Sequence, residues 1–229
     1  MNTAIIIDTE TTDTDTDTLA VIELAWVTTN PFSSLFAEEG FCQRFCPDID
    51  TPIKWGALAV HHILRTELAG CPPSSLAPSR VEESVYWIGH NVDFDWKALG
   101  SPKGVKRICT LAMARKLWPE LDSHNLSAVT YFTQGANHAT RTKLKSAHSA
   151  LHDVELCQEL LRLQIELSGV TSFEELYLFS ENARIPTIMT FGKHKGKPIS
   201  SVDRGYMNWY RKQADPDPYL LEAFSRAGM

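Results

Sequence analysis

Short, uninterrupted hydrophobic runs dominate the first half of the chain, a pattern typical of buried β-strands. Three runs, at 4–9, 19–28 and 40–46, are separated by turn-rich segments and predict three consecutive strands. Because these strands follow one another directly, we expect them to pair as an antiparallel meander. The later runs SVYWIG and RICT predict a fourth strand at 84–89 and a fifth at 107–110.

Hydrophobic residues with helical spacing are interleaved with these runs and follow them. The longest such pattern, at 151–167, predicts a helix with one apolar stripe made of Leu151, Val154, Cys157, Leu161 and Ile165. Residues 133–146, just before it, are polar and basic and predict a loop. Shorter helices are expected in IKWGALAVHHI, DFDWKALG, LAMARKLWP and HNLSAVTYF.

The order of these elements predicts the fold class. A meander followed by strands that alternate with helices indicates an α/β domain with a mixed sheet and helices on both faces. We expect this domain to span residues 1–169. Residues 170–186 are predicted to form a connecting helix and linker, and residues 187–229 a small basic module.

Composition limits the classes of protein to consider. With 229 residues, 43% of them hydrophobic, the chain is long enough for one well-buried core and a small appendage. No apolar run approaches the roughly 20 residues that cross a bilayer, so we expect no membrane association. The start of the chain has only a short apolar run with no basic stretch before it, which argues against a secretion signal.

The five cysteines are odd in number and lack paired spacing, so reduced thiols in a cytoplasm are expected. Cys42 and Cys46 could be combined with His61 and His62 into a zinc site. The C-x3-C spacing on a strand suits zinc poorly, and ordinary thiols are the favoured interpretation.

Charge is distributed unevenly along the chain. The net charge of −6 argues against a general nucleic-acid binder. Residues 1–60, however, contain ten acids and two bases, whereas residues 189–212 contain six bases and one acid. The first region could hold cations and the second could track phosphates.

Asp8 and Glu10 stand at the end of the first predicted strand. Residues i and i+2 of a strand point to the same face, so both carboxylates project together from a strand whose preceding isoleucines belong in a core. Carboxylate oxygens suit a hard divalent cation. The D-x-E pattern also occurs at solvated strand ends and carries weight only together with other motifs.

Two further clusters place carboxylates near predicted helix starts. In GHNVDFDWKAL, the first helical turn carries Asp95, while Asp93 is a helix-start acid that the helix dipole favours. In HSALHDVELCQELL, Asp153 lies within the first two turns of the long helix. His148 stands five residues earlier, a step of about 140° on a helix, so it can share a site with Asp153 only from the entering loop.

The three clusters, in the order D-x-E-T-T, H-N-x-x-F-D and H-x-A-x-x-D, resemble the histidine-bearing branch of the DEDD exonuclease superfamily. ALAVHHI, RICTLAMARKLWP and FGKHKGKPISSVDRGYMNWYRK resemble exodeoxyribonucleases of this family, so the likeness covers nearly the whole chain. It implies a ribonuclease H-like fold, in which three meander strands and two parallel strands form the mixed sheet.

Applied residue by residue, the resemblance implies that two Mg²⁺ ions, with Mn²⁺ as a substitute, are held by Asp8, Glu10, Asp95 and Asp153. Paired cations about 3.5–4 Å apart activate water and stabilise both the attacking and the leaving oxygen of a phosphodiester. His148 would be the general base, since an unperturbed pKa near 6.5 lets it accept a proton at neutral pH. Attack on phosphorus would release a 5′-mononucleotide.

The resemblance also implies contacts with the substrate. Thr11, Thr12, His90 and Asn91 would lie beside the terminal nucleotide, and His61 at the rim of the site. For His61, the role of an ordinary helix-end histidine is an equal alternative.

Asp13, Asp15 and Asp17 continue the acidic run and have the spacing that starts an EF-hand calcium loop. That loop needs Gly at its sixth position and Glu at its twelfth, where this chain has Thr18 and Leu24. We therefore expect a turn between antiparallel strands, with local hydrogen bonds from Asp and Thr. The family usually has Gly and apolar residues here, so this loop departs from the resemblance.

The basic module contains GKHKGK, which is similar to a phosphate-binding loop. Only three residues separate Gly192 from Gly196, and Pro198 stands in place of Ser or Thr, so this interpretation fails. The bases of the module alternate with aromatic residues, as in a groove that follows a nucleic-acid backbone. Tyr206 and Trp209, at i and i+3, could instead form the core of the module.

Together these features predict a metal-dependent 3′→5′ exonuclease that acts on single-stranded and also double-stranded DNA 3′ ends in the cytoplasm, in the context of DNA repair. The same site could instead trim RNA, since only contacts at the ribose 2′-hydroxyl separate the two activities. A non-catalytic nucleic-acid-binding protein on the same scaffold is disfavoured, because all four carboxylates and His148 are present. A calcium-binding module is the weakest alternative.

Overall fold

A five-stranded mixed sheet lies at the centre of the computed structural model, which describes residues 4–33, 39–145 and 149–228. The strands are β1 (Ala4–Thr11), β2 (Val21–Thr29), β3 (Gly40–Arg44), β4 (Tyr86–Gly89) and β5 (Lys106–Cys109), in the order β3-β2-β1-β4-β5. β1, β2 and β3 pair antiparallel, whereas β4 is parallel to β1 and β5 is parallel to β4. The predicted meander and mixed sheet are confirmed.

Helices surround this sheet, and 3₁₀ segments at Arg65–Leu68 and Ser74–Arg80 precede β4. None of the described helices is long and apolar enough to span a membrane. The helices are α1 (Trp55–His61), α2 (Val92–Ala98), α3 (Thr110–Leu117), α4 (Leu126–Gln134), α5 (His138–Lys145), α6 (Ala150–Ser168), α7 (Phe173–Arg184), α8 (Arg204–Tyr210) and α9 (Pro218–Arg226).

α5 lies within residues 133–146, where the sequence predicted a loop, so that prediction is wrong for these residues. The Asn137 side chain caps the helix, since its oxygen accepts hydrogen bonds from the amides of Ala139 and Thr140. Lys143 pairs with Glu159 of α6. A polar sequence with few apolar residues thus becomes helical through a cap and an ion pair, which hydrophobic spacing does not reveal.

Alternate residues of β1 line two hydrophobic cores on opposite faces of the sheet. Ile6 packs with the apolar stripe of α6, including Val154, Cys157 and Leu161. Ile5 and Ile7 face the other core. Leu151 departs from the predicted stripe because it is 39% exposed, and Ala150 occupies the core position in the first turn of α6.

α7, the predicted connecting helix, is part of the main core, into which it inserts Phe173 and Leu176. Beyond it, residues from Met189 to Phe224 build a separate hydrophobic cluster. The Tyr219 hydroxyl of α9 donates to the Glu181 carboxylate of α7, so α7 connects this cluster to the sheet. The division into 1–169, 170–186 and 187–229 stays a prediction.

Candidate metal-binding active site

Three carboxylates meet where β1 passes beneath the start of α6. Asp8 and Glu10 come from the strand and Asp153 from the helix, and the ligand atoms they offer all lie within 4.8 Å of one another. In the part of the chain that the structure describes, no other group of three or more His, Cys, Asp or Glu side chains could hold a metal ion. The cysteines are free thiols, and Cys42 and Cys46 form no zinc site with the histidines.

The position of the first two carboxylates follows from the strand. Ile5, Ile6 and Ile7 are fully buried and anchor β1 between the two cores. Asp8 and Glu10 then continue the face on which Ile6 lies, as the strand period predicts. Register with β2 shifts between Glu10 and Thr11, and such irregularities are common where a strand re-aims side chains at an active site.

The cluster carries uncompensated negative charge. Burial, followed by the neighbouring carboxylates Asp153, Glu23 and Asp95, raises the pKa of Glu10 from 4.5 to about 8. The pKa of Asp8 is also raised well above its usual range, again chiefly by burial. A divalent cation would relieve this repulsion, and a donor set made only of carboxylates suits hard cations such as Mg²⁺ or Mn²⁺.

Asp95 lies close to the group formed by Asp8, Glu10 and Asp153, and a hydrogen bond from Thr9 holds its carboxylate in place. It is only 3% exposed, on α2, and its Oδ1 accepts a 2.8 Å hydrogen bond from the Thr9 hydroxyl. Burial raises its pKa to about 7, while the Thr9 hydroxyl acts in the opposite direction. Because Thr9 sits between Asp8 and Glu10 in the strand, this bond fixes the fourth carboxylate relative to the other three.

Asp93, two residues earlier on α2, forms ion pairs that hold the fold together. Its carboxylate pairs with both Arg107 and Arg184. These ion pairs connect α2 to β5 and α7. Asp93 therefore has a structural role in addition to its favourable interaction with the helix dipole.

Glu23 is a buried acid near the site that the sequence motifs did not identify. It is 3% exposed and lies opposite Glu10 in the β1–β2 pair. One carboxylate oxygen accepts the Ala150 amide at 2.8 Å, and the other accepts Nε of Arg44 at 3.0 Å. A signal was available, since a lone acid within the apolar strand VIELAWV needs a buried partner.

His148 lies outside the described residues, in the gap at 146–148. α6 begins at Ala150, and the Ser149 side chain caps it by accepting the amide of His152. The catalytic role of His148 therefore stays a prediction.

Thr11 and Thr12 are engaged in the turn that joins β1 to β2. The Thr11 hydroxyl donates to the Asp13 carbonyl at 2.7 Å, and the Thr12 hydroxyl oxygen accepts the Ala20 amide at 2.9 Å. Within this turn the Asp13 carboxylate accepts the Thr14 amide. The predicted turn with local hydrogen bonds is confirmed.

His61 is the last residue of α1 and is 4% exposed. Its Nδ1 accepts the Ile63 amide at 2.9 Å, and burial lowers its pKa. The other ring nitrogen, Nε2, is buried and makes no hydrogen bond of ordinary geometry with the described residues, although the Thr11 backbone lies close enough to act on the pKa of His61. A buried nitrogen that is only weakly paired gains from a ligand that completes its hydrogen bonding.

His90 and Asn91 connect β4 to α2. Both ring nitrogens of His90 are occupied, Nδ1 by the Thr110 hydroxyl at 3.0 Å and Nε2 by the His124 carbonyl at 2.8 Å. A carbonyl only accepts, so Nε2 carries the proton, and burial lowers the pKa of His90 to about 4. Asn91 is exposed, has a left-handed backbone (φ 84°), and its side chain does not cap α2.

Comparison with known proteins identifies the family. No family model matches the chain. Exodeoxyribonuclease 10 of Escherichia coli (strain K12) is 32% identical to it over 169 residues, which make up 72% of this chain and 74% of that protein. The chain belongs to the exodeoxyribonuclease 10 family. The exonuclease resemblance expected from the three motifs is thereby confirmed.

Solved structures agree in fold. Exonuclease X in complex with 5′ overhanging duplex DNA has a TM-score of 0.59 and 24% identity, covering 77% of this chain and 99% of that chain. E. coli exonuclease I in complex with a dA16 oligonucleotide also has a TM-score of 0.59, with 17% identity over 83% of this chain and 46% of its own. The ribonuclease H-like sheet is confirmed.

Proposed function

We propose that the protein is a divalent-metal-dependent 3′→5′ exodeoxyribonuclease that releases 5′-mononucleotides from DNA 3′ ends. The observation that carries this proposal is the convergence of Asp8, Glu10 and Asp153 within 4.8 Å. Membership of the exodeoxyribonuclease 10 family supports DNA as the substrate. The DNA complexes of exonuclease X and exonuclease I support both overhanging duplex and single-stranded 3′ ends.

Two Mg²⁺ ions, replaceable by Mn²⁺, are the proposed cofactors, and Asp8, Glu10, Asp95 and Asp153 the proposed ligands. The raised pKa values of the first three support this, because burial, joined by neighbouring carboxylates for Asp8 and Glu10, disfavours charged forms that a bound cation would stabilise. When bound, such cations lower the pKa of water and stabilise charge on phosphate oxygens.

His148 is the proposed general base. It takes a proton from the attacking water, whose oxygen bonds to phosphorus as the bond to the 3′-oxygen of the penultimate nucleotide breaks. This role rests on the motif H-x-A-x-x-D and on the position of residue 148 before the α6 N-cap Ser149. The leaving 3′-oxygen takes up a proton from solvent and becomes the 3′-hydroxyl of the shortened strand, and His148 returns the proton of the water to solvent.

The proposed substrate contacts have different support. His61 offers a buried ring nitrogen that makes no hydrogen bond of ordinary geometry, and Asn91 an exposed side chain at the start of α2. The hydroxyls of Thr11 and Thr12 and the ring of His90 are occupied within the fold. We propose that these three residues act by fixing the backbone beside the terminal nucleotide.

The cytoplasm is the proposed location. All five cysteines are free thiols, which a reducing compartment keeps unpaired.

Labelled oligonucleotides test the function. DNA and RNA strands carrying a 5′ label, single-stranded and with 5′ overhangs, are incubated with Mg²⁺ and the wild type, Asp153→Asn or the matched turn variant Asp15→Asn. We expect DNA ladders shortened from the 3′ end with the wild type and Asp15→Asn, and none with Asp153→Asn or with EDTA. Digestion of RNA alone would establish the exoribonuclease alternative. Binding without any shortening would establish a non-catalytic scaffold.

A pH profile tests the base. The wild-type rate should rise through the histidine titration range, about pH 6 to 7, and reach a plateau, because only neutral imidazole accepts a proton. His148→Gln should lower the plateau by about 100-fold, within the range for general bases, and remove this rise. An unchanged profile in His148→Gln contradicts the assignment.

A further inference from the structure

The C-terminal cluster and its flanking segments, residues 187–228, have a charge opposite to that of the whole chain. They contain seven bases and four acids, whereas the chain has a net charge of −6. Some of these bases are exposed and form no ion pair with any described residue, namely Lys195, Lys197, Arg204 and Lys212. Exposed cations without a carboxylate neighbour are available to an external anion.

Trp209 stands out among the aromatic residues of α8. Tyr206 and Tyr210 are each 8% exposed and belong to the hydrophobic cluster, whereas Trp209 is 53% exposed and lies outside it. Its ring centroid is 5.2 Å from that of Tyr206, so the buried ring supports one side of it. The sequence left open whether Tyr206 and Trp209 form a core or a binding surface, and the structure places Tyr206 in the core and leaves Trp209 exposed.

A cavity of about 580 Å³ opens beside this indole, and we name it the Trp209 cavity. It is lined by Gly192, Lys193, Asp203, Gly205, Tyr206 and Trp209. Gly192 has a left-handed φ of 68°, and a Cβ there would come within 2.6 Å of the Tyr206 hydroxyl. Glycine therefore lets the loop approach Tyr206 this closely.

The charges around the Trp209 cavity favour an anionic ligand. The Lys193 ammonium lies 5.3 Å from the Tyr206 ring centroid, at the cavity wall. The one acid of the lining, Asp203, already has partners, because its carboxylate accepts the Tyr206 amide and lies 3.0 Å from the His194 ring and 3.6 Å from the Lys193 ammonium. An exposed ion pair of this kind contributes little, so Lys193 can exchange the carboxylate for a phosphate. An aromatic surface next to an ammonium group matches a planar base joined to a phosphate.

We propose that the Trp209 cavity binds single-stranded DNA, with a base stacked on Trp209 and phosphates near Lys193 and Lys195. A stacking surface needs an unpaired base, because base faces inside a duplex are already covered by their neighbours. The identity of the strand as DNA rests on the proposed function. Binding itself does not need the carboxylate cluster, since its contacts come from residues 187–228.

The binding experiment uses the full chain in EDTA, where metal-dependent cleavage does not occur. Fluorescence anisotropy of a 5′-fluorescein dT12 strand is measured for the wild type, Trp209→Ala and Trp209→Phe. We expect Trp209→Ala to weaken binding about 5-fold or more, the loss typical of one stacked base. Trp209→Phe should retain most of the affinity, because phenylalanine still stacks. Phe132→Ala, which removes another half-exposed aromatic ring, should bind as the wild type does.

The salt dependence of Kd tests the phosphate contacts. The double variant Lys193→Gln/Lys195→Gln should reduce the slope of log Kd against log salt by about 1.4, or about 0.7 for each lost single-strand phosphate contact. Lys103→Gln, an exposed lysine outside the module, should leave the slope unchanged.

Three outcomes would overturn the proposal: wild-type affinity in Trp209→Ala, equal losses in the alanine and phenylalanine variants, or equal losses for dT12 and a blunt duplex. The proposed function fails separately. If Mg²⁺ releases no nucleotide while Trp209→Ala still weakens dT12 binding, the cavity stands and the nuclease does not. If Mg²⁺ does release nucleotides while Trp209→Ala binds dT12 as the wild type does, the nuclease function stands and the proposed binding at the Trp209 cavity does not.

Discussion

The Glu23 carboxylate accepts the backbone amide of Ala150 at 2.8 Å, across 127 positions of sequence. This contact joins the third residue of β2 to the first residue of α6, three residues before Asp153. Arg44 supplies the positive charge that a buried carboxylate needs, and the helix N-terminus adds its dipole. Glu23 thus acts as a positioning residue for the helix that carries the third carboxylate.

Replacement of Glu23 should reduce turnover through the position of α6. Glu23→Ala removes both contacts, and we expect a loss in kcat of about 10-fold or more, with a lower Tm from the unpaired amide and guanidinium. Glu23→Gln keeps an acceptor for Ala150 and should recover part of kcat. Glu67→Gln is the matched control, since Glu67 pairs with the same Arg44 but is exposed, and its other oxygen accepts the Leu64 amide. Equal kcat in all three variants would contradict the positioning role.

Metal-free stability should fall as pH rises. The folded protein holds Glu10 with a pKa of about 8 against 4.5 in a free chain, so between these values the folded state binds more protons than the unfolded state. The free energy of unfolding therefore decreases from about pH 4.5 to pH 8 in EDTA. Glu10→Gln removes the cost of burying a charged carboxylate beside other acids, so its Tm should exceed that of the wild type by about 5 °C at pH 8 and by much less at pH 5.

Differential scanning calorimetry checks this prediction, with Mg²⁺ as a second variable. Mg²⁺ should raise the wild-type Tm more at pH 8 than at pH 5, because protons compete with the cation at low pH. A wild-type Tm that rises with pH in EDTA would show that burial and the neighbouring carboxylates do not raise the pKa of Glu10.

For the reaction rate, the hydroxyl group of Thr9 should be more important than the volume of its side chain. Thr9→Val keeps the shape but removes the donor to Asp95, so the pKa of Asp95 should rise further and its carboxylate lose its fixed orientation. We expect kcat to fall by about 10-fold. Thr9→Ser restores the donor and should restore kcat. If the valine and serine variants behave alike, the hydrogen bond has no role in the reaction.

The acidic turn should be separable from the metal site. Asn can make the same local hydrogen bonds as Asp, so the triple variant Asp13→Asn/Asp15→Asn/Asp17→Asn should fold normally. We expect unchanged Mn²⁺ affinity by isothermal titration, because none of these residues belongs to the carboxylate group. Loss of a tight cation site in this variant would revive the calcium interpretation.

Local periodicity explains why some features could be predicted. The strand period places Asp8 and Glu10 on one face, and the helical period places Val154, Cys157 and Leu161 in the core. Each depends on residues within a few positions of one another. Local periodicity missed α5, since Asn137 and the pair between Lys143 and Glu159 stabilise it without an apolar stripe.

The sequence by itself determined the strand with its paired acids, the long helix, the turn between β1 and β2, and the family that the three motifs indicate. Only the tertiary structure decided which distant partner satisfies each buried polar group. Thr9 bonds Asp95 across 86 positions and Glu23 bonds Ala150 across 127. It also decided that Tyr206 is core while Trp209 is exposed. Sequence spacing records which residues share a face of one element, but burial depends on what the rest of the chain brings to that face.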